Sequence, residues 1–210
     1  MNRIITISAV AAIAAGLLGV YVFTTSSSGD DRYAHCRNGS VAGGASQIGG
    51  PFTLVDETGK TVTDKDVLDQ PALIYFGYTF CPDVCPLDVA RNAAAVDVLE
   101  ERGEIVKPVF ISVDPARDTP EVVDDFTANM HPRMLGLTGS EEQVRSASRA
   151  YRTFYQAQEP PDGDEEFYLV DHSTFTYLTL PGDGFVEFFR RDIGPEQLAD
   201  RVGCFLDARP

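Results

Sequence analysis

Apolar and polar positions change period several times along the chain, and each change marks an element. From Ile4 to Phe23 the sequence is almost unbroken apolar residues, about the length that a helix needs to cross a bilayer. Arg3 precedes this run and Ser, Gly and Asp follow it, which points the N-terminus to the cytoplasm and the rest of the chain outside. The pattern predicts an uncleaved anchor over residues 1–24. A cleaved signal peptide is the competing reading, but the small residues Ala11 to Ala15 lie inside the run rather than after it. Residues 25–47 read as a linker, mostly Ser, Gly, Ala and Asp.

From residue 48 to residue 210, unbroken apolar runs alternate with helical spacing. Pro51–Val55 and Lys60–Thr63 flank Glu57-Thr58-Gly59 and predict a hairpin. Ala72–Tyr78, rich in β-branched and aromatic residues, predicts a buried strand, and Leu87, Ala90, Ala94, Val98 and Leu99 then recur at helical spacing. Lys107–Val113 is a second apolar strand. Asp118-Thr119-Pro120-Glu121 opens a helix, with Pro early and acids in the first turn. Met134–Thr138 predicts a short strand, and Ser140 begins a helix that runs to about Arg152. Glu159–Glu166 is acidic and is expected to be a solvated, mobile loop. Strands follow at Phe167–Val170, Thr174–Leu180 and Phe185–Arg190, then an amphipathic helix at Pro195–Leu206. The alternation predicts an α/β fold, a mixed central sheet with flanking helices.

Cys81 and Cys85 fall where the first apolar strand feeds its helix. Orphan N–H groups and the helix dipole favour negative charge there, which lowers thiol pKa. Pro86 suits the first turn, where no N–H is needed. The i, i+4 spacing brings the sulfurs close enough for a disulfide or one shared metal ion, so spacing leaves structural, redox and metal roles open. Composition narrows the partners. A formal charge of −15 argues against nucleic acid and against docking flat on anionic lipid. Four cysteines in 210 residues do not make a disulfide-dense scaffold. Met130, His131 and Met134 sit close in sequence, but His131-Pro132 reads as a helix end rather than a ligand cluster.

Three blocks, GYTFCPDVCP at Gly77–Pro86, ISVDPARDTPE at Ile111–Glu121 and VDHSTFTYL at Val170–Leu178, resemble the Sco/SenC family in content and order. The resemblance spans about Ile48 to Phe205. It implies a thioredoxin-like fold on an N-terminal transmembrane anchor in the inner (cytoplasmic) membrane, with the soluble domain in the periplasm. It also implies a copper chaperone that helps assemble the copper centre of cytochrome c oxidase. In the family the histidine of the DHS block joins the CxxxC cysteines on copper, so Cys81, Cys85 and His172 are the implied ligands. Two thiolates and one imidazole suit Cu(I). Cu(II) would need further donors such as water or Asp171, which reads better as a supporting carboxylate. Zinc in a closed site would want a fourth protein ligand, and no further Cys or His is evident. The implied partners are a periplasmic copper donor and the copper-accepting subunit of cytochrome c oxidase, with one ion carried per chain. The alternative is a thiol-disulfide oxidoreductase in which Cys81 and Cys85 keep the acceptor's cysteines reduced. A thiol peroxidase is a third reading that DPARDTPE and the distal histidine fit less well.

The three blocks leave Cys36 and Cys204 without a role. Beyond the membrane, cysteines usually pair, and a bond between these two would close a loop of about 170 residues, worth on the order of 4–5 kcal/mol. The expectation is that disulfide; an auxiliary copper site at His35-Cys36 and an intermolecular bridge are the alternatives. The acidic loop Glu159–Glu166 is expected to lie near the copper site, because a short strand separates it from Asp171-His172.

Overall fold

Strands form where the sequence is continuously apolar, and helices begin at the capping and turn residues between them. The computed structural model describes residues 16–19, 31–37, 47–160 and 167–209. The chain divides into two units, Met1–His35 and Cys36–Pro210. Among the described residues no helix is long and apolar enough to cross a membrane. The expected anchor at Ile4–Phe23 lies outside the described residues, save a helical turn at 16–19. Most of the linker and the heart of the acidic loop, residues 161–166, also lie outside them.

The second unit opens with the hairpin of β1 (Thr53–Asp56) and β2 (Thr61–Thr63), turning at Gly59 with φ +82, and a short helix α1 (Asp64–Val67). Then come β3 (Ala72–Gly77), α2 (Val84–Glu101), β4 (Lys107–Ser112), α3 (Pro120–Met130), β5 (Leu135–Thr138) and α4 (Glu141–Ala150). Thr119 caps α3, its hydroxyl accepting the Val122 N–H ahead of Pro120, and Ser140 with Gln143 forms a capping box on α4. β6 (Tyr155–Ala157) and β7 (Val170–His172) form a two-stranded ribbon, followed by β8 (Thr176–Leu180), β9 (Gly184–Phe189) and α5 (Pro195–Asp207).

The main sheet runs β2-β1-β5-β4-β3-β8-β9. β3, β4 and β5 are parallel, while β1, β8 and β9 join antiparallel. All six residues of β3 are buried, as a central strand covered on both faces requires. The sheet is thus mixed, with helices packed on it.

The expected pattern changes at α2 and at β7. The buried side of α2 is not the stripe through Leu87 and Ala90: Leu87 is 60% exposed. Of the expected stripe Leu99 does face inward, and Cys85, Asp88, Val89, Asn92, Ala93, Ala95 and Val96 face inward with it. α2 packs against α5 as well as against β3 and β4, so its apolar positions spread around it. The strand expected at Phe167–Val170 begins instead at Val170 and runs to His172, because its partner is β6, with Tyr155 opposite His172.

Candidate metal centre

The end of β3, the first turn of α2 and the end of β7 meet at one place. Cys81 follows β3 and is 8% exposed; Cys85, in the first turn of α2, is 0% exposed. His172 closes β7, with its Nε2 3.1 Å from the Cys85 Sγ. The three ligand atoms, two sulfurs and one imidazole nitrogen, lie within 4.8 Å of one another. Cys81 and Cys85 are free thiols.

Local hydrogen bonds prepare each donor. The Cys85 N–H donates to the Cys81 Sγ at 3.3 Å, so this sulfur satisfies an orphan N–H of α2 as a capping oxygen would. Burial pushes the Cys81 thiol up, but N–H groups of Asp83 and Cys85 pointing at the sulfur outweigh it, and its pKa falls below 9.0. Cys85 goes the other way. Deep burial, reinforced by the charge of Cys81, raises it well above the ordinary thiol value. The His172 Nδ1 lies 3.0 Å from the Ser173 carbonyl, to which it donates. That bond puts the neutral ring's proton on Nδ1 and leaves the Nε2 lone pair facing Cys85. Burial lowers the His172 pKa, outweighing the Ser173 bond that raises it, and so favours this neutral, ligating form.

Around the donors the packing is aromatic and close. Tyr75 and Tyr78 stand edge-on to the His172 ring, with centroids 6.1 and 5.8 Å away. A Cβ on Gly77 would meet the Tyr75 ring at 2.8 Å and the Cys85 Sγ at 3.1 Å, so this strand end has room for the sulfur because residue 77 lacks a side chain. The turn into the motif is held by Asp118, fully buried, which accepts from the Thr79 N–H at 3.0 Å, the Thr79 hydroxyl at 2.6 Å and the Ser112 hydroxyl at 2.5 Å. Desolvation raises the Asp118 pKa despite these donors. Arg117 bonds Asp114 at 2.6 Å and the Tyr168 carbonyl at 3.0 Å, and stacks 3.6 Å from the Tyr168 ring. It therefore ties the ISVDPARDTPE block to the segment leading into β7.

Asp171 is exposed and accepts from the Gln158 side chain at 2.8 Å. Cys36 and Cys204 are joined by a disulfide, with Cα atoms 5.7 Å apart, so Cys36 has no free thiolate to offer an auxiliary copper site. Gln158 and Phe167, which flank the acidic loop, and Glu159, its first residue, line a cavity of about 590 Å³ together with Pro82 of the CxxxC turn. His131 caps the end of α3. Its Nδ1 accepts the Arg133 N–H at 3.1 Å, so in the neutral ring the proton sits on Nε2, facing Asp97 at 3.2 Å. That tautomer cannot ligate a metal through Nε2, although Asp97 and Glu100 lie close by. Sequence reasoning gave no role to Tyr75, Gly77, Asp88 or Asp118. Gly77 and Asp118 lie inside the motif blocks, which is the one signal that could have found them.

The model of the family described as SCO1/SenC matches residues 40–207. The chain belongs to the SCO1/SenC family. It is 60% identical to Protein SenC of Rhodobacter capsulatus over 85% of this chain and 79% of that protein. It is 44% identical to the mitochondrial SCO1 homolog 1 of Arabidopsis thaliana over 79% of this chain, but spans just 49% of that relative. Among solved structures, Arabidopsis thaliana ScoI with copper bound matches at TM-score 0.71 and 43% identity, covering 76% of this chain and 99% of that one. Yeast Sco1 with copper bound matches at TM-score 0.73 and 34% identity, covering 78% of this chain and 91% of that one. The fold is therefore the thioredoxin-like α/β fold of SCO1/SenC proteins.

Proposed function

We propose that the chain is a copper metallochaperone that carries one Cu(I) on Cys81, Cys85 and His172 and serves assembly of the copper centre of cytochrome c oxidase. The observation that carries this reading is the meeting of two thiols and a neutral imidazole lone pair within 4.8 Å. Soft sulfur with one nitrogen, at low coordination number, matches Cu(I). The fit to the metal extends to the surroundings, since Gly77 leaves space at the Cys85 sulfur and the Ser173 carbonyl fixes the required tautomer. Two relatives of similar fold are described with copper bound. Copper is cargo here. Cys81, the more exposed thiol, is where an incoming thiol of a donor or of the oxidase's copper-accepting subunit would first meet the ion. We place the anchor at Ile4–Phe23 in the inner membrane and the copper domain in the periplasm; the apolar run and its flanking charges support this.

A second reading rests on the asymmetry of the two thiols. Cys81, the less buried of the two and favoured as thiolate, would attack a disulfide of the target, forming a mixed disulfide and releasing one target thiolate. Cys85 would then give up its proton and attack the Cys81 sulfur, releasing the second target thiolate. The target gains two electrons, and Cys81–Cys85 ends as a disulfide. Metal analysis and thiol titration of wild type and His172→Ala separate the readings. The chaperone reading expects the variant to lose copper while keeping both titratable thiols. X-ray absorption with nitrogen and oxygen alone around the copper of the wild type would sink it.

A further inference from the structure

Asp88 is the one carboxylate on the inward side of α2, 3% exposed and one turn beyond Cys85. Packing alone would put an apolar residue there, since a buried carboxylate costs free energy unless its oxygens find partners. Both oxygens have one. Arg191 approaches Oδ1 at 3.4 Å, and the Tyr75 hydroxyl donates to Oδ2 at 3.1 Å. Tyr75 is itself buried to 1% exposure, in β3. Its ring stands at 89° to the His172 ring with centroids 6.1 Å apart, and a Cβ on Gly77 would meet both this ring and the Cys85 sulfur. One tyrosine ring therefore stands beside the His172 imidazole and next to the space that holds the Cys85 sulfur, and the carboxylate behind it fixes its hydroxyl.

We propose that Asp88 is a positioning residue for the copper site, acting through Tyr75 on Cys85 and His172. This rests on the reading that Cys81, Cys85 and His172 hold copper. A phenol whose hydroxyl has lost its acceptor no longer has its ring tilt fixed by a hydrogen bond, and the ring can shift against the His172 imidazole. With the hydroxyl pinned, the Cys85 sulfur and the His172 ring keep the separation that lets one ion bridge them. Supporting partners of this kind typically change metal affinity by 10–100-fold when removed.

The test uses the full-length chain in detergent, with Cu(I) alone as the probe. Affinity is read by competition with a chromophoric Cu(I) chelator, and donor identity by X-ray absorption. Tyr75→Phe and Asp88→Ala are each expected to lower affinity about 10-fold or more and to weaken the nitrogen contribution from His172. The double variant should bind no more weakly than Asp88→Ala, because both changes remove one linkage. Asp88→Asn, which keeps a side-chain oxygen to accept the hydroxyl, should stay within about twofold of wild type. A purely structural Asp88 would lower the melting temperature without moving the donor signature. Wild-type affinity and spectrum in Tyr75→Phe and Asp88→Ala would overturn the proposal, as would additive losses in the double variant. If Asp88→Ala fails to melt cooperatively, Tyr75→Phe decides alone, since it removes a single oxygen. Wild-type protein that takes up no Cu(I) would overturn the chaperone reading itself, and this inference with it.

Discussion

Cys81 and Cys85 share a motif but not an environment, and the difference makes a prediction about pH. Cys85 is held protonated by burial, so Cu(I) bound at the proposed site would have to displace its proton, and each released proton changes affinity about tenfold per pH unit. Affinity should therefore rise at least that steeply through neutrality, as competition titrations at several pH values would show; a flat profile would contradict the ligand set. His172 adds a second pH effect, on stability. Its folded-state pKa is depressed below 6.5, so on acidification the unfolded chain takes up that proton first. The metal-free protein should lose stability as pH falls below 6.5 towards the folded value, measurable by denaturant melts. Gly77→Ala should drive a methyl into the Tyr75 ring and the Cys85 sulfur, costing about 1–3 kcal/mol and weakening Cu(I) binding. The cysteine pair was legible from its place after an apolar strand, whereas His172 was picked out by resemblance to a family motif. Tyr75, Gly77 and Asp88 were not legible, because a tyrosine and a glycine in an apolar strand look like ordinary core. An aspartate on a helix looks solvated until its tertiary partners are known.

Most elements followed from local chemistry: β3 and β4 from unbroken apolar runs, α3 from Thr119 and Pro120, α4 from its capping box. The failures have one cause, which is that packing partners are distant in sequence. β6 is Tyr-Gln-Ala, with no alternating apolar face, and it is a strand because Tyr155, Gln156 and Ala157 pair with β7. α2 is buried through Asp88 and Asn92 as well as through Val89 and Val96, so its polar positions gave the wrong face. Asn92 accepts from Thr176, 84 residues on, at 3.0 Å, a contact that no local pattern encodes. At this scale Asp118 links three elements, the exit of β3, the end of β4 and the start of α3. Asp118→Ala would leave the Thr79 N–H and the Ser112 hydroxyl without their acceptor, at about 1–3 kcal/mol for each group that stays dry. Denaturant melts should record that loss, and amide exchange should quicken at Thr79–Cys81 before it does in α5. Equal quickening everywhere would mean that Asp118 supports the fold globally rather than the motif turn.

The second unit is closed by the bond between Cys36 and Cys204, 168 residues apart. Replacing both cysteines by serine should cost about 2–5 kcal/mol, read as a shift in melting midpoint against the oxidised wild type. Reduction of the wild type should reproduce much of that shift, and serine variants as stable as the oxidised protein would show that the bond constrains little. The same bond has a consequence for damage. Residues 36 to 204 form a covalent ring, and a nick between Cys85 and His172 puts the sulfur donors on one fragment and the imidazole on the other. Those fragments stay tethered through Cys36 and Cys204. A clipped chain therefore migrates as one molecule until it is reduced, and it can reassemble its three donors at the effective concentration of an intramolecular reaction.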